Sequence, residues 1–209
     1  LRPWVLAAFL VAFASPASAL TLSDQSSDST PASLLDGILD FEVMGSTLTL
    51  TVSNTASDYN LNKIFFNARS AVAGLSLTSA VHSDGGFDVL GDWSLHTPDE
   101  RGNPTRAGGF GNFDFALIGP NGRRQPALIG PGESVVFSFA IAGMGPFSPD
   151  DFVELTSGPI PSLAAAHFVN GPSDDSAYGA TIPEPATAAL LAGGLAALAA
   201  RARRRSAPG

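Results

Sequence analysis

The side chains most able to do chemistry are sparse and scattered along the chain. There are three histidines (His82, His96 and His167) and no cysteine in 209 residues. No pair of histidines has the H-E-x-x-H spacing that sets two imidazoles around one zinc ion. Without cysteine there is neither a thiolate nucleophile nor a Cys-ligated metal. His167 sits in the apolar run Leu163–Val169 and reads as a hydrogen-bonded structural residue. His82 and His96 flank the acids Asp84, Asp88 and Asp92 and read as solvated loop side chains. Ser134 is no nucleophile elbow, because G-x-S-x-G needs glycine two residues after the serine and Val136 stands there. The carboxylates offer no singled-out pair for glycoside hydrolysis, whose spacing is spatial. The expectation is a chain with no catalytic residue, no metal site and no cofactor, and so no enzyme. Asp84-Gly85-Gly86-Phe87-Asp88 and Asp174-Asp175 supply hard oxygen ligands without EF-hand spacing, which allows at most an incidental calcium ion. Trp93, within Gly91-Asp92-Trp93-Ser94, is the best candidate platform for stacking on a sugar, ahead of Tyr59 and Tyr178. The competing reading uses Trp93 to plug one end of the core, since tryptophan is mostly buried.

The elements that would position these residues are strands. Ile38–Met44 and Thr47–Asn54 alternate apolar and polar residues around Gly45-Ser46, as a half-buried hairpin does. Leu48, Leu50 and Val52 then face the core, and Thr47, Thr49 and Thr51 face water. Leu61–Ala68, Val72–Ser79, Gly111–Ile118, Ser134–Ala142 and Leu163–Val169 are further strand candidates, with short strands around Phe87–Leu90 and Trp93–Leu95. Phe113, Phe115 and Leu117 fall on one face of their strand, and Val135, Phe137, Phe139 and Ile141 on one face of theirs. Thr21–Ser33 reads as an irregular arm whose first residues can add an edge strand. Ser148-Pro149-Asp150-Asp151 has the cap, proline and acids of a helix start, limited to one turn by Gly158-Pro159. Frequent short strands, Gly/Pro turns and almost no helix give an all-β fold, an antiparallel β-sandwich of Ig-like or jelly-roll-like kind.

The two ends differ from this middle. Residues 1–19 have a basic start at Arg2, an apolar core and the small-residue pattern Ala17-Ser18-Ala19. That is a secretory signal peptide, with Ala17 and Ala19 at the cleavage site. Residues 20–172 then form the exported domain and 173–182 a polar linker. At the other end Pro183-Glu184-Pro185 is followed by an uncharged run, 186–200, and by Arg201, Arg203, Arg204 and Arg205. A run of that length makes a helix of about 22 Å, short of the roughly 20 residues of a comfortable span. The arginines act as a stop cluster on the cytoplasmic side.

This order of proline motif, apolar helix and arginine cluster resembles the PEP-CTERM sorting signal of Gram-negative bacteria. The resemblance implies recognition by exosortase, a membrane protease-transpeptidase, with cutting near Pro183-Glu184-Pro185. It implies an inner-membrane intermediate reached after signal peptidase acts, then delivery to the envelope surface or extracellular matrix. Proteins of this kind accompany exopolysaccharide and biofilm production, so the resemblance implies a structural or adhesive matrix role. The alternative is a carbohydrate-binding module that retains matrix glycan through Trp93. A looser likeness, carried by residues 130–139 and 165–169, links the middle region to domains found ahead of such signals and supports the fold.

Charge sharpens the reading. The whole chain carries a formal −8. Setting aside the five basic residues and one acid of the end segments leaves 6 basic and 18 acidic residues, a formal charge of −12. Such a surface repels nucleic acid and anionic lipid. Nucleic acid is excluded as a partner.

Overall fold

Alternation along Gly37–Met44 and Thr47–Asn54 produces a hairpin, and the rest of the domain is built beside and beneath it. The structure, a computed structural model, describes residues 18–182 apart from 24, 28–29, 121–126 and 173–174. Its strands are β1 (Ser18–Thr21), β2 (Gln25–Ser26), β3 (Gly37–Met44), β4 (Thr47–Asn54), β5 (Asn60–Phe66) and β6 (Val72–His82). After these come β7 (Ser94–His96), β8 (Arg106–Ala107), β9 (Gly111–Asn112), β10 (Phe115–Ile118), β11 (Ser134–Gly143), β12 (Ala164–Val169) and β13 (Ala177–Thr181). One five-stranded sheet has the order β1-β3-β4-β11-β6, and a second has the order β13-β12-β5-β10-β7. All pairings between named strands are antiparallel. The all-β expectation is met.

Gly45 makes the β3–β4 turn with a φ of 62°, a left-handed value that glycine adopts without a Cβ clash. β4 then buries Leu48, Leu50 and Val52, and β11 buries Val135, Phe137, Phe139 and Ile141. These side chains meet the second sheet across the core. The Phe66 ring lies 5.7 Å from Phe41 and 6.4 Å from Phe139, both on the first sheet, and 5.5 Å from Phe115 on its own. Each such ring contributes about 2–3 kcal/mol by leaving water.

The second sheet is covered on its other side as well. Phe65, Ala116, Ala165 and Ala180 pack there against Ala107, Phe110 and Phe113 from the long β7–β10 connection. Burial on both faces explains why Ala164, Ala165 and Ala166 are all at zero exposure, with no polar alternation along β12.

Several expectations need correction. Gly111–Ile118 is two strands rather than one, because Asp114 N–H donates to Asn67 Oδ1 at 2.9 Å and Phe113 N–H to Thr105 O at 3.1 Å. Phe113 therefore joins the outer cluster, apart from Phe115 and Leu117. Around Phe87–Leu90 there is a single bridge, Val81 to Asp88, followed by a 3-10 turn at Leu90–Asp92. The linker expected at 173–182 contains β13, paired along β12 from Ala177 to Thr181. Its end is tied down where Thr181 Oγ1 donates to Thr21 O. The described strands thus run from Ser18 to Thr181. The one-turn helix start expected at Ser148 is present, as a single 3-10 turn, Pro149–Phe152, closed by a Ser148–Asp151 capping box.

Candidate functional sites

Trp93 follows the 3-10 turn at Leu90–Asp92 and points inward. It is 4% exposed, its ring meets Phe137 edge-on at 5.0 Å, and its Nε1–H donates to Ala127 O at 3.0 Å. Gly119 lies against the indole so closely that an added Cβ would sit 2.8 Å from Cζ2. No face of this ring is open for stacking, so of the two readings of Trp93 the core plug holds and the possible sugar platform is corrected. Tyr59 is buried too and donates through its hydroxyl to Asp175 Oδ2 at 3.1 Å. Tyr178 is half-buried between His167 and Phe65, at 4.5 and 5.9 Å, and burial raises its phenol pKa.

The histidines split three ways. His167 shares a short hydrogen bond with Asn62, Nδ1 to Oδ1 at 2.8 Å, in which the imidazole N–H donates. Burial, with the nearby Lys63 charge, lowers its pKa to about 4, so the ring is neutral at pH 7. His82 is buried and stacked on Phe87 at 4.9 Å. Its Nδ1 accepts from Asp84 N–H at 3.2 Å, which leaves the Nε2 proton for Leu128 O and Glu133 Oε2, both at 3.4 Å. The loop reading of His82 is therefore corrected to a buried structural residue. The acids around it are turn partners: Asp88 Oδ1 accepts from Leu90 N–H at 2.8 Å. Among the described residues no group of three His, Cys, Asp or Glu side chains is arranged to hold a metal ion. Asp174 lies outside the described residues.

His96 belongs to a cluster that residue spacing did not single out. On β7, Ser94 Oγ donates toward His96 Nε2 at 2.8 Å, and His96 Nδ1 meets Glu100 Oε2 at 2.5 Å. Thr97 N–H also donates to Glu100, at 2.9 Å, and the bond from His96, then that from Thr97, holds the Glu100 carboxyl below its usual range. Hydroxyl, imidazole and carboxylate stand in the order of an activated serine. The sequence signal was there: a Ser and a His two apart share one strand face, with Glu four residues on. An acyl-transfer site also needs a cleft and an oxyanion cradle. Three clefts among the described residues are lined by neither Ser94 nor His96.

Two of those clefts adjoin at the loop joining β5 to β6. One, of about 610 Å³, is lined by Asn67, Arg69, Asp114 and Glu154 among others. Its neighbour, of about 350 Å³, shares Arg69 and Asp114 and adds Thr97 and Asp99. Much of this polarity is spent on holding loops. Asn67 Nδ2 donates to Glu154 O at 3.0 Å, Ala68 N–H to Asp114 Oδ2 at 3.1 Å, and Arg69 pairs with Asp151 at 3.5 Å. The third cleft, of about 530 Å³, opens between the Gly45-Ser46 turn and the chain from Gly143 to Phe147.

The sorting residues Pro183, Glu184, Pro185, Arg201, Arg203, Arg204 and Arg205, with the run 186–200, lie outside the described residues, as does Ala17. Among the described residues no helix is long and apolar enough to cross a membrane. Ala19, expected at the signal-peptide cleavage site, lies within β1 opposite Asp40, next to the Ser18–Phe41 pair.

Comparison with known proteins adds one firm result. The PEP-CTERM protein-sorting motif matches residues 181–205, beginning on the last residue of β13. No curated protein matches the chain. Among solved structures, the chain is similar to that of a family IIIa CBD from Clostridium cellulolyticum, at 14% identity and a TM-score of 0.34, over 74% of this chain and 92% of the other. That likeness is too small to bear on fold or ligand.

Proposed function

A PEP-CTERM sorting motif implies an exported protein processed by exosortase at the membrane, and from that premise we propose a structural or adhesive domain of the cell surface or surrounding matrix, without catalytic activity. The observation that carries an adhesive role is the outer face of the first sheet. Thr47, Thr49, Thr51 and Ser53 alternate with buried residues along β4, and Ser134 and Ser138 do so along β11. Register sets Thr49 beside Ser138 and Ser138 beside Ser79, so hydroxyls continue across three strands. Glu42 extends this row on β3, and Asp40 lies opposite Thr51. Ladders of short hydroxyls donate and accept hydrogen bonds without fixing one ligand geometry. Neutral or weakly charged exopolysaccharide is the matching partner class. The same face supports the second reading, a glycan-retaining module, with Trp93 removed from the contact.

The test is retention of host exopolysaccharide on immobilised protein. A Thr49→Glu, Ser138→Glu double variant with unchanged melting should lose retention, and full retention would refute this face. A fluorophosphonate probe addresses catalysis directly. Ser94 is expected to stay unmodified, and labelling that disappears in a His96→Gln variant would establish an acyl-transfer site instead.

A further inference from the structure

Strand directions turn the start of β1 and the end of β13 toward one end of the sandwich. β3 and β11 are each antiparallel to β4, so both run toward the end marked by Met44 and Gly143. In the second sheet, β5 runs toward that same end, because residues 67–71 carry the chain from Phe66 to Val72, which pairs with Gly143. β13 runs with β5, since β12 is antiparallel to both. β1 opposes β3, so Ser18, opposite Phe41, is the residue of β1 nearest this end. The last described strand, β13, therefore points toward the Met44–Gly143 end. Four residues, 182–185, separate Thr181 from the apolar run, a reach of at most about 14 Å.

This end also carries exposed apolar side chains. Met144 is 87% exposed and Met44 73%, the two highest values among the exposed large hydrophobics described, and Leu155 at 48% lines the Arg69 cleft. The cleft lined by Val43, Ile141, Pro146 and Phe147 opens at the same end. Flexible thioethers at full exposure suit a soft apolar contact. Resting on the sorting reading, we infer that this end is seated on the lipid surface while the tail holds the domain at the membrane. The short tether keeps the end within reach of lipid, and the methionine tips enter the headgroup boundary. Asp114, Asp150 and Glu154 stand at the same end, so a zwitterionic surface suits it better than an anionic one.

The chain's lack of cysteine makes the test clean. Single fluorophores go on Met144→Cys or Met44→Cys, and on Phe87→Cys in the loop after β6, at the opposite end. Each full-length chain is placed in phosphatidylcholine vesicles bearing nitroxide headgroups, with melting checked against the parent. Quenching at 144 and 44 should exceed that at 87 several-fold. Equal quenching at both ends, or none at either while the chain floats with the vesicles, overturns the inference. A label at 144 already shielded in the lipid-free chain also overturns it, since the tail or a second copy then covers this end. A chain that does not float with vesicles contradicts the sorting-tail reading and takes this inference with it.

Discussion

The two sheets obey different rules. On the first sheet one face is covered, and every second residue of β4 is buried. On the second sheet both faces are covered, and β5, β10 and β12 run nearly unbroken from one buried residue to the next. Period-two patterning reports one-sided burial and falls silent when both sides are buried. The first sheet thus keeps one face uncovered, while the second buries both.

Substitutions can break that contrast. The largest effect is expected from Phe66→Ala, which empties the junction of Phe41, Phe115 and Phe139 and should cost about 3–5 kcal/mol in denaturant melts. Phe110→Ala in the smaller outer cluster should cost toward the lower end of that range and make residues 97–114 protease-sensitive. Equal loss without that sensitivity would mean the outer layer is no separate cover.

His167 gives the contrast a pH dependence. Its folded pKa of about 4 lies below the ordinary 6.5, so the unfolded chain binds the proton first. The contribution is full above about pH 6.5 and is lost as pH falls toward 4, a change of up to about 3 kcal/mol. Melts across that range should show the slope, and His167→Gln should flatten it.

Trp93→Phe keeps most of the plug but leaves Ala127 O without its donor. A stability loss of about 1–3 kcal/mol is expected, with polysaccharide retention unchanged. Lost retention at full stability would restore the sugar-platform reading. The smallest effects sharpen the comparison most finely. Ala165→Thr, on the covered outer side of the second sheet, should cost about 1–3 kcal/mol. Thr49→Ala, on the open side of the first, should stay within about 0.5 kcal/mol.

Much of the fold was legible in the residues themselves. The β3–β4 hairpin, β11 and the capped turn at Ser148 each carry local signals that agree with their final packing. β13 does not. Ala-Tyr-Gly-Ala-Thr after a Ser/Asp-rich stretch has the composition of a linker, and becomes a strand by pairing with β12 and by Ser27 N–H donating to Tyr178 O. Tertiary contacts override propensity there. The site residues divide similarly. The tail motif is sequential and was readable, whereas Trp93 shows its burial only once Gly119 and Phe137 close around it. His96 gained its meaning from Ser94 and Glu100, and the Asn67–Asp114 cleft is assembled from distant segments.

The most direct test of the account is the intact mass of the protein recovered from envelope and medium fractions of its host. The expected species lacks the tail beyond Pro183-Glu184-Pro185 and keeps β13, so its mass ends close to Pro185, with any attached group seen as added mass. A species that retains Arg201 to Gly209 would make this a plainly anchored domain and contradict processing at the sorting motif.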